Sequence, residues 1–424
     1  MDPKEIDFVT KLLAIGQGWG QSFFVSCLLY LSPEDLKACR LVNTTWDKVI
    51  KEKVWGNKKA RKTLEEKLSQ RWTTTNPEAV ELTMLPLSVG ALFCNDKYVF
   101  CGMCGGSIKV FSLDGQWVKD LEEGWEFLKI CGNESFVKMC GNESIVAAEV
   151  FSGWGCVLTI WSSKEEMGRL HSFELGNVYS GNSPIKVAEQ VNKVVILLRG
   201  IGCEKLVVVQ EGENNWETKT LESSPTPGRW RGALAVDNDF IAVVGNDQGP
   251  DSAKVKLWKE EIFVQDILLP GLSADDAFTD VIMQSPILIA SGSAGSNESE
   301  ASWIKVFKLD KDKDKDMEKL NAVTLIKTVH VAPELYGGPL FCNGPVVGWE
   351  VVNLESGIWM NLFEKKALLD PETGEQTERN VIPLPKVDWE TSSARGHNTT
   401  SLVFVRSPQD FLYKKDFWMS NTVA

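Results

Sequence analysis

A short apolar strand recurs along this chain at a nearly constant step, and a constant step leaves few folds open. Ile108-Lys109-Val110-Phe111, Leu158-Thr159-Ile160-Trp161, Leu206-Val207-Val208-Val209, Val255-Lys256-Leu257-Trp258 and Ile304-Lys305-Val306-Phe307 end about 50, 48, 49 and 49 residues apart. A period between roughly 20 and 50 residues is the signature of a repeat architecture. A second strand precedes each of these, and a polar turn introduces most of them: Asn95-Asp96-Lys97 before Tyr98, Gly141-Asn142-Glu143 before Ser144, Asn192-Lys193 before Val194, and Asp237-Asn238-Asp239 before Phe240. Asn, Asp and Gly tolerate positive φ or bond their own backbone, so these are hairpin turns. Runs such as Val194-Val195-Ile196-Leu197-Leu198 are apolar without alternation, as strands buried on both faces are.

Two looser units follow, around Val346 to Phe363 and Leu402 to Trp418, which makes seven. Seven units of three or four strands predict an all-β, seven-bladed β-propeller, since radial repetition leaves only short, protected edges. Outer strands are expected at Trp117 to Leu121, Arg169 to Leu175, Trp216 to Leu221, Ile262 to Leu269, Val323 to Val329 and Arg379 to Leu384. The seventh unit has none left after Trp418, and the strand at 81–87 is expected to supply it and close the ring.

Before the repeats the period becomes helical. Ser22 to Leu31 is an apolar helix candidate, and Ser32-Pro33-Glu34-Asp35 supplies an N-cap, a proline at the first helical position and acids in the first turn. Asn43 or Thr44 caps a third helix carrying Trp46, Val49, Ile50, Val54 and Trp55, and Glu52 to Trp72 is expected to run on as a linker helix. The expected organisation is a tail over 1–16, a helical module over 17–57, a linker helix over 58–80 and the propeller over 81–424.

The helical module resembles the F-box, carried by Leu31-Ser32-Pro33-Glu34-Asp35-Leu36, Val42, Asn43-Thr44-Thr45-Trp46 and Val54-Trp55. Gln17 to Ser22 departs from that family's Leu-Pro opening. The resemblance implies a small all-α head that binds the Skp adaptor, and through it a cullin, with Leu31, Pro33, Leu36, Val42, Trp46 and Trp55 as adaptor contacts. It further implies a non-catalytic, substrate-recognition subunit of a ubiquitin ligase, whose propeller captures a protein for ubiquitination. Gly106 to Phe111 resembles a WD repeat through its Gly-x-Ile-Lys-Val-aromatic form, although the Gly-His and Trp-Asp dipeptides are missing; Gly105-Gly106, Trp117 and Trp216 also resemble kelch repeats. The alternatives are a head that only buttresses the ring and a propeller scaffold without ubiquitin chemistry.

Composition narrows the partners. The net charge of -13 divides into +3 over residues 1–80 and -16 over the rest, and an acidic propeller argues against nucleic-acid binding. No run reaches the roughly 18 apolar residues of a membrane span, and the first residues do not begin a secretory signal. No membrane partner is therefore expected, and a cytoplasmic or nuclear protein with reduced cysteines is. His171, His330 and His397 stand apart from any metal-ligand spacing, and Cys101-Gly102-Met103-Cys104 lacks a second pair, so neither metal nor cofactor is expected. Asp310, Asp312, Asp314 and Asp316 lack the glycine and glutamate of a calcium loop. Ser112 to Trp117 nears the aspartate box of sialidase-like propellers, but its glycine comes one position early and no other unit repeats it.

Five of the seven propeller arginines fall in loops of one face. Arg199 and Arg406 follow second strands, while Arg229, Arg231 and Arg395 lie between units, with Trp230 as an aromatic neighbour. Such a group is suited to clamp an acidic or phosphorylated segment through bidentate bonds. The plain alternative is charge carried on loops for solubility.

Overall fold

The computed structural model describes residues 19–31, 33–42, 44–74, 77–86, 89–103, 107–121, 137–152, 155–164, 166–176, 185–188, 191–200, 203–212, 215–224, 233–237, 239–246, 253–272, 276–284, 286–293, 302–311, 320–331, 335–343, 345–353, 357–372, 379–384, 395–397, 401–406 and 411–417. The repeat builds seven four-stranded antiparallel sheets, six of them from strands consecutive in sequence. Each blade has an innermost strand that the strand runs did not announce. In the first and third blades it is Val89–Cys94 and Ile185–Val187, short segments with no long β-branched run.

The turns into the second strands form through their own side chains. Asn95 Oδ1 accepts from the backbone N–H of Lys97 and Tyr98 at 2.9 and 2.8 Å. Asn142 Oδ1 does the same for Ser144 and Ile145 at 2.8 and 3.0 Å, and Asp237 Oδ1 for Asp239 and Phe240 at 3.0 and 2.7 Å. Asn142 also joins two blades, since its amide donates to the carbonyl of Ala188 at 2.9 Å.

Unbroken apolar runs follow from where their two faces go. In Lys193–Gly200, Val194, Ile196 and Leu198 enter a core shared with Ile145, Ala147, Leu158 and Ile160 of the second blade. Val195 and Leu197 enter another core with Ile241, Val243 and Trp258 of the fourth. One strand thus seals two seams, each fully buried side chain contributing about 1.5–3 kcal/mol. Across the channel, Lys186 of the third blade bonds Asp280 Oδ1 of the fifth at 3.0 Å, while Asp280 Oδ2 accepts from the backbone N–H of Leu340 in the sixth at 3.0 Å.

Closure joins the chain's two ends. Val80–Met84 pairs antiparallel with Phe411–Asp416 as the outermost strand of the seventh blade, Val80 facing Lys414 and Met84 facing Phe411, with a bulge between Glu81 and Thr83. Tyr413 donates from its hydroxyl to Glu81 at 3.2 Å. Gly115 lies beneath this strand with φ +85°, and a Cβ there would stand 2.7 Å from the Leu82 carbonyl oxygen, so backbone conformation and space both select glycine.

The head comprises α1 (Trp19–Leu28), α2 (Pro33–Arg40), α3 (Thr44–Val49), a π-helical segment (Ile50–Trp55) and α4 (Lys58–Thr74). The expected continuous helix over Glu52 to Trp72 is interrupted at Gly56. Its N–H bonds the Lys51 carbonyl at 2.7 Å, and Asn57 then caps α4, its Oδ1 accepting from the backbone N–H of Lys59 and Ala60 at 3.0 and 3.2 Å. Leu64, Leu68 and Trp72 recur every fourth residue on the buried side of α4. They belong to one core that also takes Leu28, Leu36, Ile50 and Val54 of the head, Met360, Leu362 and Ile382 of the sixth blade, and Leu402 and Phe404 of the seventh. Trp72 stacks on Phe417 at 4.0 Å between centroids. The segment expected as a linker is therefore a wedge in a joint core.

Trp72→Ala is expected to destabilise the whole protein by about 3–5 kcal/mol and to lower head and propeller melting together in calorimetry. At the Lys259–Ile262 hairpin, Glu260 and Glu261 hold φ of 46° and 66°. Glu260→Asn is expected to raise stability by about 1 kcal/mol in urea titrations, because asparagine tolerates the left-handed region better.

Candidate functional site

Two surfaces have the chemistry of binding sites, one on the head and one on a rim of the propeller. On the head, Phe24 meets Trp46 edge-on at 4.9 Å, and Leu36, Ile50 and Val54 are fully buried beneath them. Among the described residues, the large apolar side chains left outside are Phe23, Tyr30, Leu41 and Val42, with 71%, 74%, 87% and 41% of their surface exposed. Four such residues on so small a module mark the head as a candidate docking element.

Polar contacts fix this surface. Asp47 of α3 accepts from Arg40 Nε and Lys51 Nζ, both at 2.7 Å, tying the end of α2 to the π-helical segment directly beside Leu41 and Val42. The Lys51 and Arg40 bonds hold the Asp47 carboxyl below the usual carboxylate range. Lys67 of α4 lies 3.8 Å from the Tyr30 ring centroid and donates to the Leu29 carbonyl at 3.1 Å, holding the exposed ring against the helix behind it. Burial, and secondarily Arg71, lowers the Lys67 pKa.

The residues marked by the F-box resemblance separate by depth. Leu36 and Trp46 are core side chains, 0% and 6% exposed, so a partner on this surface does not touch them. Leu31 and Trp55 are half-buried and pack against the joint core, and Val42 is exposed. Pro33 starts α2, and its side chain lies outside the described residues, as does the tail over 1–16. The resemblance does not mark Phe23, Tyr30 or Leu41; Tyr30 and Leu41 lie in the turns that follow α1 and α2, where helical periodicity no longer indicates which way a side chain faces.

On the propeller, Arg199 is the next-to-last residue of Lys193–Gly200, Arg406 ends Ser401–Arg406 and Arg395 begins Arg395–His397. In antiparallel blades, the end of a second strand and the start of an innermost strand share one rim, so these three backbone positions do too. Their side chains lie outside the described residues, as do Arg229, Trp230 and Arg231 and the loop containing Asp312, Asp314 and Asp316. Among the described residues no group of three or more His, Cys, Asp or Glu could hold a metal. Cys94 and Cys101 are fully buried, and burial raises their thiol pKa far above the ordinary value, which leaves them unreactive packing groups.

No protein-family model and no curated protein matches this chain. Solved structures do. The β-propeller domain of Cps50 (Swd1) from Myceliophteria thermophila matches with a TM-score of 0.53 at 9% identity, covering 80% of this chain and 99% of that one. The Nup133 β-propeller domain of Vanderwaltozyma polyspora matches with a TM-score of 0.50 at 11% identity, over 81% of this chain and 99% of that one. The WD40 domain of SCAP from fission yeast gives 0.43 at 8% identity, over 81% and 98%. At these identities the likeness concerns the fold alone, a β-propeller, which the seven four-stranded sheets of this chain also form.

Depth predicts a split among head variants. Trp46→Ala is expected to cost about 3–5 kcal/mol, whereas Leu41→Asp is expected to stay within about 0.5 kcal/mol of the parent. Thermal melting of the full chain measures both.

Proposed function

We propose that this protein is a non-catalytic substrate receptor of a Skp, cullin and F-box ubiquitin ligase. In this reading the head docks the Skp adaptor and the propeller captures a protein to be ubiquitinated. The carrying observation is the exposure of four apolar side chains, Phe23, Tyr30, Leu41 and Val42, on a helical module whose sequence resembles the F-box. A partner on that surface gains an apolar centre beside the charged Arg40, Asp47 and Lys51 group, the anatomy of a specific interface. The joint core supports the reading mechanically. A receptor whose head is wedged against two blades holds its captured protein at a fixed distance and angle from the ligase.

For the substrate end, the arginine rim favours an acidic or phosphorylated segment, with Arg199, Arg229, Arg231, Arg395 and Arg406 as carboxylate or phosphate partners and Trp230 as an aromatic contact. The second reading is a propeller scaffold without ubiquitin chemistry. The burial of Leu36 and Trp46 favours it, because helices that share a core with the ring also serve as a buttress.

Co-purification of the full chain with the Skp adaptor separates the two. The parent is expected to bind, and Leu41→Asp and Tyr30→Asp are each expected to weaken binding by about tenfold or more while the propeller stays folded. A parent that fails to bind overturns the ligase reading, and so do two surface variants that both bind at parental strength. At the other end, Arg229→Glu with Arg231→Glu is expected to abolish substrate capture from extracts and to leave adaptor binding unchanged.

A further inference from the structure

We infer that the basic corner of the head, where the π-helical segment hands over to α4, binds an acidic protein segment rich in aspartate and glutamate. This inference does not depend on the ligase reading. Residues 48–62 carry seven basic side chains against one acid in a chain whose net charge is -13. Lys51 is paired with Asp47 at 2.7 Å, while Arg61 and Lys62 stand 3.9 and 3.7 Å from Glu65 and Glu66. Lys48, Lys53, Lys58 and Lys59 are exposed, and no described residue pairs with their ammonium groups.

The fold does not account for these charges. Asn57 caps α4, so Lys58 and Lys59 occupy its first two positions, and the first turn holds no acid. The amino end of a helix carries a partial positive charge, which favours aspartate or glutamate there and opposes lysine. Helix stability alone would favour the opposite sign at these two positions.

At about 1.5 Å per residue, Lys58 stands about 21 Å along the axis from Trp72, the residue stacked on the propeller. Leu64 and Leu68 lie between them and pack against the sixth blade, so the corner stands beside the ring while its exposed lysines face solvent. The same propeller, with its net -16, decides the class of partner. A nucleic-acid duplex or an anionic bilayer large enough to extend past the corner brings its phosphates against that charge. A short acidic segment lies on the corner alone.

The test uses the full-length chain and a fluorescein-labelled peptide of alternating aspartate and glutamate, read by fluorescence anisotropy. The parent is expected to bind the peptide at low salt and to weaken as salt rises. Lys58→Glu with Lys59→Glu is expected to weaken binding by about tenfold or more, yet to melt at or above the parental temperature, because acids suit that helix end. Loss of binding without loss of stability assigns the lysines to recognition. A parent that does not bind the peptide at low salt overturns the proposal, as does a variant whose affinity stays within about twofold of the parent. Tighter binding of a DNA duplex or of phosphatidylserine-containing vesicles than of the peptide overturns it as well.

Discussion

The antiparallel pairing of Val80–Met84 with Phe411–Asp416 is the constraint on which the rest depends. An open row of seven blades would leave an unpaired edge and two uncovered apolar faces, one at each end. The closing strand completes the last sheet, and the blade it completes packs against the first, with Val403, Val405 and Leu412 sharing a core with Leu92, Val99 and Phe111. The same segment continues upstream into α4, whose Trp72 rests on Phe417 just beyond the paired strand. Helix and strand together form one strap over the sixth and seventh blades. The head is consequently built into the last two blades and is not an appendage to them.

What could be read in advance follows from how strongly each element imprints on sequence. Second and third strands are buried on both faces, and runs such as Val194 to Leu198 give them away. The closing strand was legible by subtraction, because the seventh unit ran out of residues at its outer edge; its observed bounds are Val80–Met84, where 81–87 had been expected. Innermost strands stayed hidden. Segments such as Ile185–Val187 are short and line a channel, so neither length nor periodicity marks them. Gly56 was visible as a residue, but one glycine does not announce that a π-helical segment ends there and that Asn57 restarts the backbone.

For the candidate sites, residue type was legible and depth was not. Leu36, Trp46, Leu41 and Val42 are equally apolar in the sequence, yet the first two face inward and the last two face out. That choice is made by Asp47, which pins the end of α2 through Arg40 and Lys51, and by the sixth and seventh blades, which cover the other side of the helices. Long-range polar contacts were equally invisible. Lys186 and Asp280 are ordinary charged residues 94 positions apart until the ring brings them across the channel.

The strap sets an order of events during synthesis. The head and the closing strand leave the ribosome before the blades, and their partners in the last blade leave after the other six. At roughly 5–20 residues per second, the apolar faces of Leu64, Leu68 and Trp72 wait on the order of 20–70 s for Leu402, Phe404 and Phe417. A nascent chain in that interval presents an uncovered helix stripe and a strand with no neighbour, the two features that chaperones bind and that wrong partners pair with. A stop codon just before Phe411 would leave the closing strand without its partner and the ring permanently open.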